Sequence, residues 1–515
     1  MAFAVPVFLR YMDKSSRTID LIILCLLAVY AACLSCMHAI RLPFNYFWID
    51  TAFSVDLIRL PIGEMLSATA VNEHPPFYYL FGKAVVTLLG DKPWAFRATG
   101  FIPYIGILIL ALTYVRKHFG AVVSFVVITF ASVTPASIEY VLETRMYEIG
   151  CFLVLSLYLC FYELTVKEKT DSKGKWICFY IVSMMTAYTH YYLTVAVCIV
   201  YGCLILFCLI HKKNVLYCFV CSIAAVISYL PWLGVMLRNF GARADDWWAT
   251  GYSGFDESMS EIFGLKRFYY PAMMIIAILV IYAFLQYRNA RKNSDKTATS
   301  SAAGFIWFVL TGILVIGLVM TVGIVVSELV RPLFLSRYIY PLSSIGWLLL
   351  GMGIDRFCKL LRGVLSAKNV KGTKMFSLCI PAIILISIVA LSFYSFYGIY
   401  RYNVDDQRRL SELTNKFLEN VSIPSESIVY SDFESEEFTI TGCYFPKTDV
   451  YIQNASFFYD VPEFNEFYLV WKDSDVQVSC ENLSGYGYET ELLASRGTLG
   501  PQTDVSIVYC KKNII

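Results

Sequence analysis

Runs of roughly 20 consecutive apolar residues recur along this chain, as at 19–38, 193–210 and 305–326, and they restrict its fold more than any other feature. A helix of about 20 apolar residues covers about 30 Å, the hydrocarbon thickness of a bilayer. One such run suffices for membrane residence, and this sequence has many. Of its 515 residues, 57% are apolar and 16% charged, whereas soluble domains carry about 25% charged residues. A polytopic α-helical membrane protein is therefore expected, with spans at roughly 19–38, 97–115, 120–136, 147–164, 176–189, 191–210, 215–236, 268–287, 303–326, 338–354 and 377–399, eleven in all.

Loop charge orients these spans. The segment from Arg401 onward holds 9 Lys+Arg against 19 Asp+Glu, leaving 33 basic and 21 acidic residues for the rest. Basic loops gather on the cytoplasmic side of membrane proteins. The loops at 116–118, 167–175, 211–213, 288–296 and 356–374 then lie inside with the N-terminus, and the acidic tail lies outside. The first apolar run follows Arg10, Lys14 and Arg17 and is too long for a cleavable signal core, so it is expected to remain as the first span. Pro75–Leu89 is apolar but short and opens with two prolines. If it crossed, every later loop would invert, so it reads as an interfacial or re-entrant helix in a first outer loop at 39–96.

Residues 1–400 thus form a membrane domain, and residues 401–515 a small extracytoplasmic α/β domain. In the latter, alternating runs such as Ser427–Tyr430, Thr448–Ile452 and Glu466–Val470 read as strands. The 16 cysteines show no paired metal-binding spacing. Most lie in apolar runs, while Cys443, Cys480 and Cys510 sit in the tail, where an oxidising compartment could pair two of them.

Charges beside spans are costly and tend to mark function. Here they gather at outer ends: Asp50, Glu73 and His74 in the first outer loop, Glu143 and Arg145 after the third span, His190 between the fifth and sixth, and Arg337 before the tenth. That places chemistry at the outer membrane boundary, where the head group of a polyprenyl phosphate rests. A single inverting displacement there needs one carboxylate to take the acceptor's proton and cations to stabilise the departing phosphate. Asp50 can supply the first, and Arg145 or Arg337 the second, because guanidinium matches phosphate oxygens with a planar fork. No nucleotide-binding glycine loop is evident. Each residue also has a plainer reading: Asp50 could open an interfacial helix, Glu143 and Arg145 could be a surface ion pair, and His190, Tyr191, Arg337 and Tyr338 could belong to an interfacial belt.

Local patterns carry the reading further. Phe47-Trp48-Ile49-Asp50-Thr51-Ala52-Phe53-Ser54, followed by Glu73-His74-Pro75-Pro76-Phe77-Tyr78-Tyr79, resembles the first outer loop of GT-C glycosyltransferases, particularly the protein O-mannosyltransferase and aminoarabinose transferase branch. Glu143-Thr144-Arg145-Met146-Tyr147, Thr189-His190-Tyr191-Tyr192 and Ser336-Arg337-Tyr338 look like later landmarks of the same group, in order over about residues 20–355. The resemblance implies a GT-C-like fold with juxtamembrane helices in the first outer loop and a polyprenyl-phosphate sugar donor. It puts Asp50 in the place of the catalytic base. Glu73, His74, Glu143, Arg145, Tyr147, His190, Tyr191, Arg337 and Tyr338 become candidates for substrate contact. Many relatives have Glu after the Asp where this chain has Thr51, which leaves no fixed metal ligands and a divalent cation only as an option, with Glu73 as a substitute partner.

The expected activity is that of a hexosyl- or pentosyltransferase. Its partners would be the lipid-linked donor, a protein, lipid or glycan acceptor and membrane lipids, with no nucleic acid. A flippase for a lipid-linked sugar and a non-catalytic assembly factor are the alternatives. The first would favour paired repeats with broken helices near the midplane, which the sequence does not clearly show. The second draws support from Thr51.

Overall fold

The computed structural model describes residues 14–513, apart from 72–73, 168–171, 243–250, 265, 331, 368–372, 434–437, 453–457 and 459. Glu73 therefore lies outside the described residues.

A helix occupies each of the eleven expected segments. Seven described helices are long and apolar enough to cross a membrane, from Thr18–Ala39 to Lys296–Leu329. The others depart from full spans for local reasons. Helix Ala121–Val133 stops because Thr134 turns extended and its hydroxyl caps Pro135–Tyr140, with Pro135 in the first turn. Lys173–Ala187 has only 15 residues. The expected span at 338–354 opens as two 3-10 turns, Ser336–Tyr338 and Tyr340–Leu342, before helix Ser343–Ala367, which carries Asp355, Arg356 and Lys359. Thr373–Glu419 covers 377–399, most of whose side chains lie outside the described residues, and continues unbroken past 400.

The segment at 39–96 contains three short helices: α1 (Ile49–Arg59), α2 (Ile62–Ala70) and α3 (Phe77–Leu89). At 13 residues α3 falls short of a full span. Helix α4 (Pro93–Leu110) starts on a proline at a permitted first-turn position and continues through a π-helical turn, Ala111–Val115. α3 packs on α1 and α4. A β-carbon on Gly82 of α3 would lie 2.6 Å from Ile58 Cδ1, so glycine permits this approach.

The tail forms a five-stranded sheet in the order β2-β1-β3-β5-β4. The strands are β1 (Ile428–Ser431), β2 (Asp449–Ile452), β3 (Glu466–Lys472), β4 (Tyr488–Leu499) and β5 (Gln502–Lys512). β1 is parallel to β2 and β3, while β5 is antiparallel to β3 and β4. Phe467, Leu469 and Trp471 bury one sheet face with Leu483 of helix Asp473–Gly485. From the other, Val429, Val470, Val505 and Ile507 join the core shared with the membrane helices and the first outer loop. Short helix α5 (Phe438–Tyr444) packs directly on α1. Cys443, Cys480 and Cys510 are all free thiols, so the pairing an oxidising compartment could permit is not made here.

Candidate active site

Asp50 lies in the first turn of α1, where its charge is favoured by the helix's exposed amides. Four connections converge on it. Arg145 projects from the turn between helix Pro135–Tyr140 and helix Tyr147–Thr165, and this turn reaches α1 across Gly100 of α4. A β-carbon there would lie 2.6 Å from the Val141 carbonyl oxygen and 3.1 Å from that of Glu143. Arg145 Nη1 donates to the Asp50 carbonyl oxygen at 3.3 Å and to Ser54 Oγ at 3.2 Å. Its Nη2 donates to His74 Nε2 at 3.0 Å. From the opposite side, Arg337 Nη1 donates to Asp50 Oδ2 at 2.6 Å. Arg337 and Asp50 keep 23% and 29% of their side-chain surface, so the pair is partly open to solvent.

The histidines arrive by a backbone tie. Phe77 N–H donates to the Tyr188 carbonyl oxygen at 3.0 Å, bringing the loop before α3 onto the connection that carries His190. The two rings stand 5.4 Å apart, and His190 contacts Tyr338 at 4.9 Å. Their hydrogen bonds fix the tautomers. Tyr192 N–H donates to His190 Nδ1 at 3.2 Å, leaving the proton on Nε2. Arg145 donates to His74 Nε2, leaving the proton on Nδ1. A guanidinium has no lone pair to accept from an imidazole, which decides the second case.

Burial depresses both histidines, with Arg145 and Arg337 adding to the effect; His190 falls to about 3. Both rings are thus neutral donors near pH 7. Burial raises the Asp50 carboxyl, but Arg145 and Arg337 outweigh it and hold Asp50 below the usual carboxylate range. Burial and the neighbouring Glu139 push Glu143 up to about 8. Burial likewise pushes Glu261, which accepts from Ser336 Oγ at 2.9 Å, to about 7. Near neutrality Glu143 is largely protonated, Asp50 is the ionised carboxylate at the centre, and two guanidinium groups face it.

His74 Nδ1, His190 Nε2, Arg145 Nε and the Tyr147 hydroxyl are buried and make no hydrogen bond within the described residues. Buried polar groups are almost always satisfied, so four orphaned groups around one arginine pair mark a place built for a polar ligand. Three of them are N–H donors, which suits an oxyanion.

Among the candidates from sequence, the structure gathers Asp50, His74, Glu143, Arg145, Tyr147, His190, Arg337 and Tyr338. Tyr191 is a neighbour of Tyr229. Its neighbour Tyr192 stacks on His190 at 5.8 Å and on Tyr338 at 5.6 Å. Ser54, Tyr192 and Glu261 are further participants. Ser54 was findable as the residue one helical turn after Asp50 on the same face, whereas Glu261 had no local signal. No group of three His, Cys, Asp or Glu side chains suited to a metal ion occurs among the described residues.

The architecture defines the class: a multi-pass helical membrane protein with a small C-terminal sheet domain. Among solved structures it is similar to ArnT from Cupriavidus metallidurans in the apo state, with a TM-score of 0.56 at 11% identity, covering 94% of this chain and 97% of that one. It is also similar to the same protein bound to undecaprenyl phosphate, with a TM-score of 0.55 at 12% identity and the same coverage. No family model and no curated protein matches the sequence.

Proposed function

We propose that this chain is an inverting glycosyltransferase that moves a sugar from a polyprenyl-phosphate carrier to a hydroxyl-bearing acceptor at the outer membrane face. The observation that carries the reading is the paired placement of an ionised carboxylate, Asp50, against two arginines and two neutral imidazole N–H donors. The fold's likeness to a structure bound to undecaprenyl phosphate supports a lipid-phosphate donor.

In the proposed step the acceptor oxygen attacks the anomeric carbon from the face opposite the phosphate. Asp50 takes the acceptor's proton as the new C–O bond forms. The old C–O bond breaks with its electron pair passing to the phosphate, which leaves as a monoester held by Arg145, Arg337 and the N–H groups of His74 and His190. Arg337 is bonded to Asp50 at 2.6 Å. A donor phosphate competes for that guanidinium, loosens the pair and lets Asp50 rise toward its ordinary basicity. Binding of the donor thereby readies the base. The N-terminus is assigned to the cytoplasm and the sheet domain to the exterior, on the positive-inside pattern of the loops. The sheet domain, taken from residue 401, is assigned to holding the acceptor.

Proteoliposomes supplied with undecaprenyl phosphate bearing radiolabelled mannose or arabinose test this. Transfer of label to an acceptor fraction is expected, with Asp50→Asn slowing it about 10²–10⁴-fold while binding of undecaprenyl phosphate persists. Full transfer by Asp50→Asn, or translocation of the labelled lipid without transfer, contradicts the proposal.

A further inference from the structure

We infer that the C-terminal sheet domain is a working part of the catalytic site: Tyr444 and Cys443, the last residues of α5, hold both ends of the helix that carries Asp50, and Tyr444 is a positioning residue. The inference rests on the reading of Asp50 as the base.

Just before α1, Phe47 N–H donates to the Tyr444 hydroxyl oxygen at 3.2 Å, and that hydroxyl donates to the Asn45 carbonyl oxygen at 3.4 Å. At the far end of α1, Arg59 Nη1 donates to the Cys443 carbonyl oxygen at 2.7 Å. Two adjacent residues of the tail therefore bracket an 11-residue helix. Gly500 closes the approach: with φ +59, a β-carbon there would lie 2.8 Å from the Phe47 carbonyl oxygen and 3.0 Å from the Tyr444 hydroxyl. The part of Thr373–Glu419 beyond 400 adds two ties, Asn45 N–H to Ser411 Oγ at 2.7 Å and Asn45 Nδ2 to Asn415 Oδ1 at 2.9 Å.

Asp50 lies three residues after Phe47, so a shift of this strap displaces its carboxylate directly. The membrane helices grip this region at other atoms: Arg97 of α4 donates to the Phe44 and Tyr46 carbonyl oxygens, Arg145 to the Asp50 carbonyl oxygen and Ser54, and Arg337 to the carboxylate itself, so Tyr444 supplies the tie at Phe47. Catalysis depends on such placement: an error of about 1 Å can cost about 10²-fold. The interface is also apolar, with Phe47, Val429, Val470 and Ile507 in one core. Removing a single hydroxyl deletes one tie among many contacts, which leaves the domain seated but its register loosened.

The test compares the full-length protein with Tyr444→Phe and with a control, Tyr451→Phe, at an exposed position on β2. The proteoliposome assay uses the same labelled undecaprenyl-phosphate mannose and arabinose. Tyr444→Phe is expected to lower kcat on the order of tenfold, to leave KM for the labelled lipid nearly unchanged, and to move the acid limb of the pH–rate profile upward as Asp50 loosens from Arg337. Amide hydrogen exchange across 47–54 should accelerate, and Tyr451→Phe should change none of these. Unchanged exchange overturns the inference, and so does faster exchange with kcat and the acid limb intact. If the unmodified protein transfers neither label, the glycosyltransferase reading fails, and exchange across 47–54 alone decides whether the strap exists.

Discussion

Asp50 and Glu143 are two carboxyl groups whose environments push them in opposite directions. Arg145 and Arg337 hold Asp50 ionised, so its ion pair stabilises the fold above the ordinary carboxylate range, and that stabilisation is lost as pH falls through its depressed value. Glu143 is the reverse: burial and Glu139 keep it protonated up to about 8. Between the ordinary Glu value and about 8 the folded chain binds the extra proton, so Glu143 makes stability fall as pH rises. Glu143→Gln, which mimics the protonated form, should therefore raise the thermal midpoint more at pH 8 than at pH 5; an equal change at both contradicts the assignment. Undecaprenyl phosphate binding should also resist alkaline pH better in that variant, since the unmodified site acquires a second negative charge. At His190 the account depends on an N–H donor at Nε2 rather than on a positive charge. His190→Ala should weaken undecaprenyl phosphate binding roughly tenfold, the value of one hydrogen bond to a charged group, whereas His190→Gln, with a donor at the same reach, should recover part of it. Equal losses in both variants would remove His190 from the anion site.

At the scale of elements, the turn holding Glu143 and Arg145 is only as well placed as Gly100 allows. Gly100→Ala puts a methyl 2.6 Å from the Val141 carbonyl oxygen, and backbone cannot swing aside as a side-chain tip can. Overpacking of this kind costs about 1–3 kcal/mol. The thermal midpoint should fall and transfer should fall further than stability alone explains; a variant with unchanged transfer would show that the turn need not sit so close. The helices themselves were legible in the sequence because lipid demands long apolar runs with satisfied backbones. The interruption at Thr134-Pro135 was hidden because it lies inside apolar sequence. The continuation of Thr373–Glu419 past 400 was missed because its polar half, from Arg401, carries no hydropathy signal. Strands β1, β2 and β3 announced themselves by alternation, while β4, largely exposed along its first half, did not. In the site, charged residues were legible because charges beside spans are rare. Tyr192, which stacks on His190 and Tyr338, had no signal of its own, because adjacent aromatics do not reveal the helical phase at the start of Tyr191–His211. Tyr444 lies 394 positions after Asp50 and carries no local pattern at all.

For the whole molecule, one geometric relation organises the rest: the sheet domain packs against the outer-loop helix that carries Asp50, so both lie at the same end of the helical bundle. On the positive-inside pattern of the loops, a tag appended after residue 515 should be reached by impermeant reagents in intact cells, and a tag inserted at 293–295 only after permeabilisation. The reverse pattern would place the chemistry in the cytoplasm and require a different donor. The most direct test of the central claim is an experimental structure of the full chain in lipid nanodiscs with undecaprenyl phosphate. The account predicts the phosphate within hydrogen-bonding distance of Arg145, Arg337, His74 Nδ1 and His190 Nε2, with the Asp50–Arg337 bond lengthened. A phosphate bound elsewhere, with that bond intact and both imidazole N–H groups uncontacted, would contradict it.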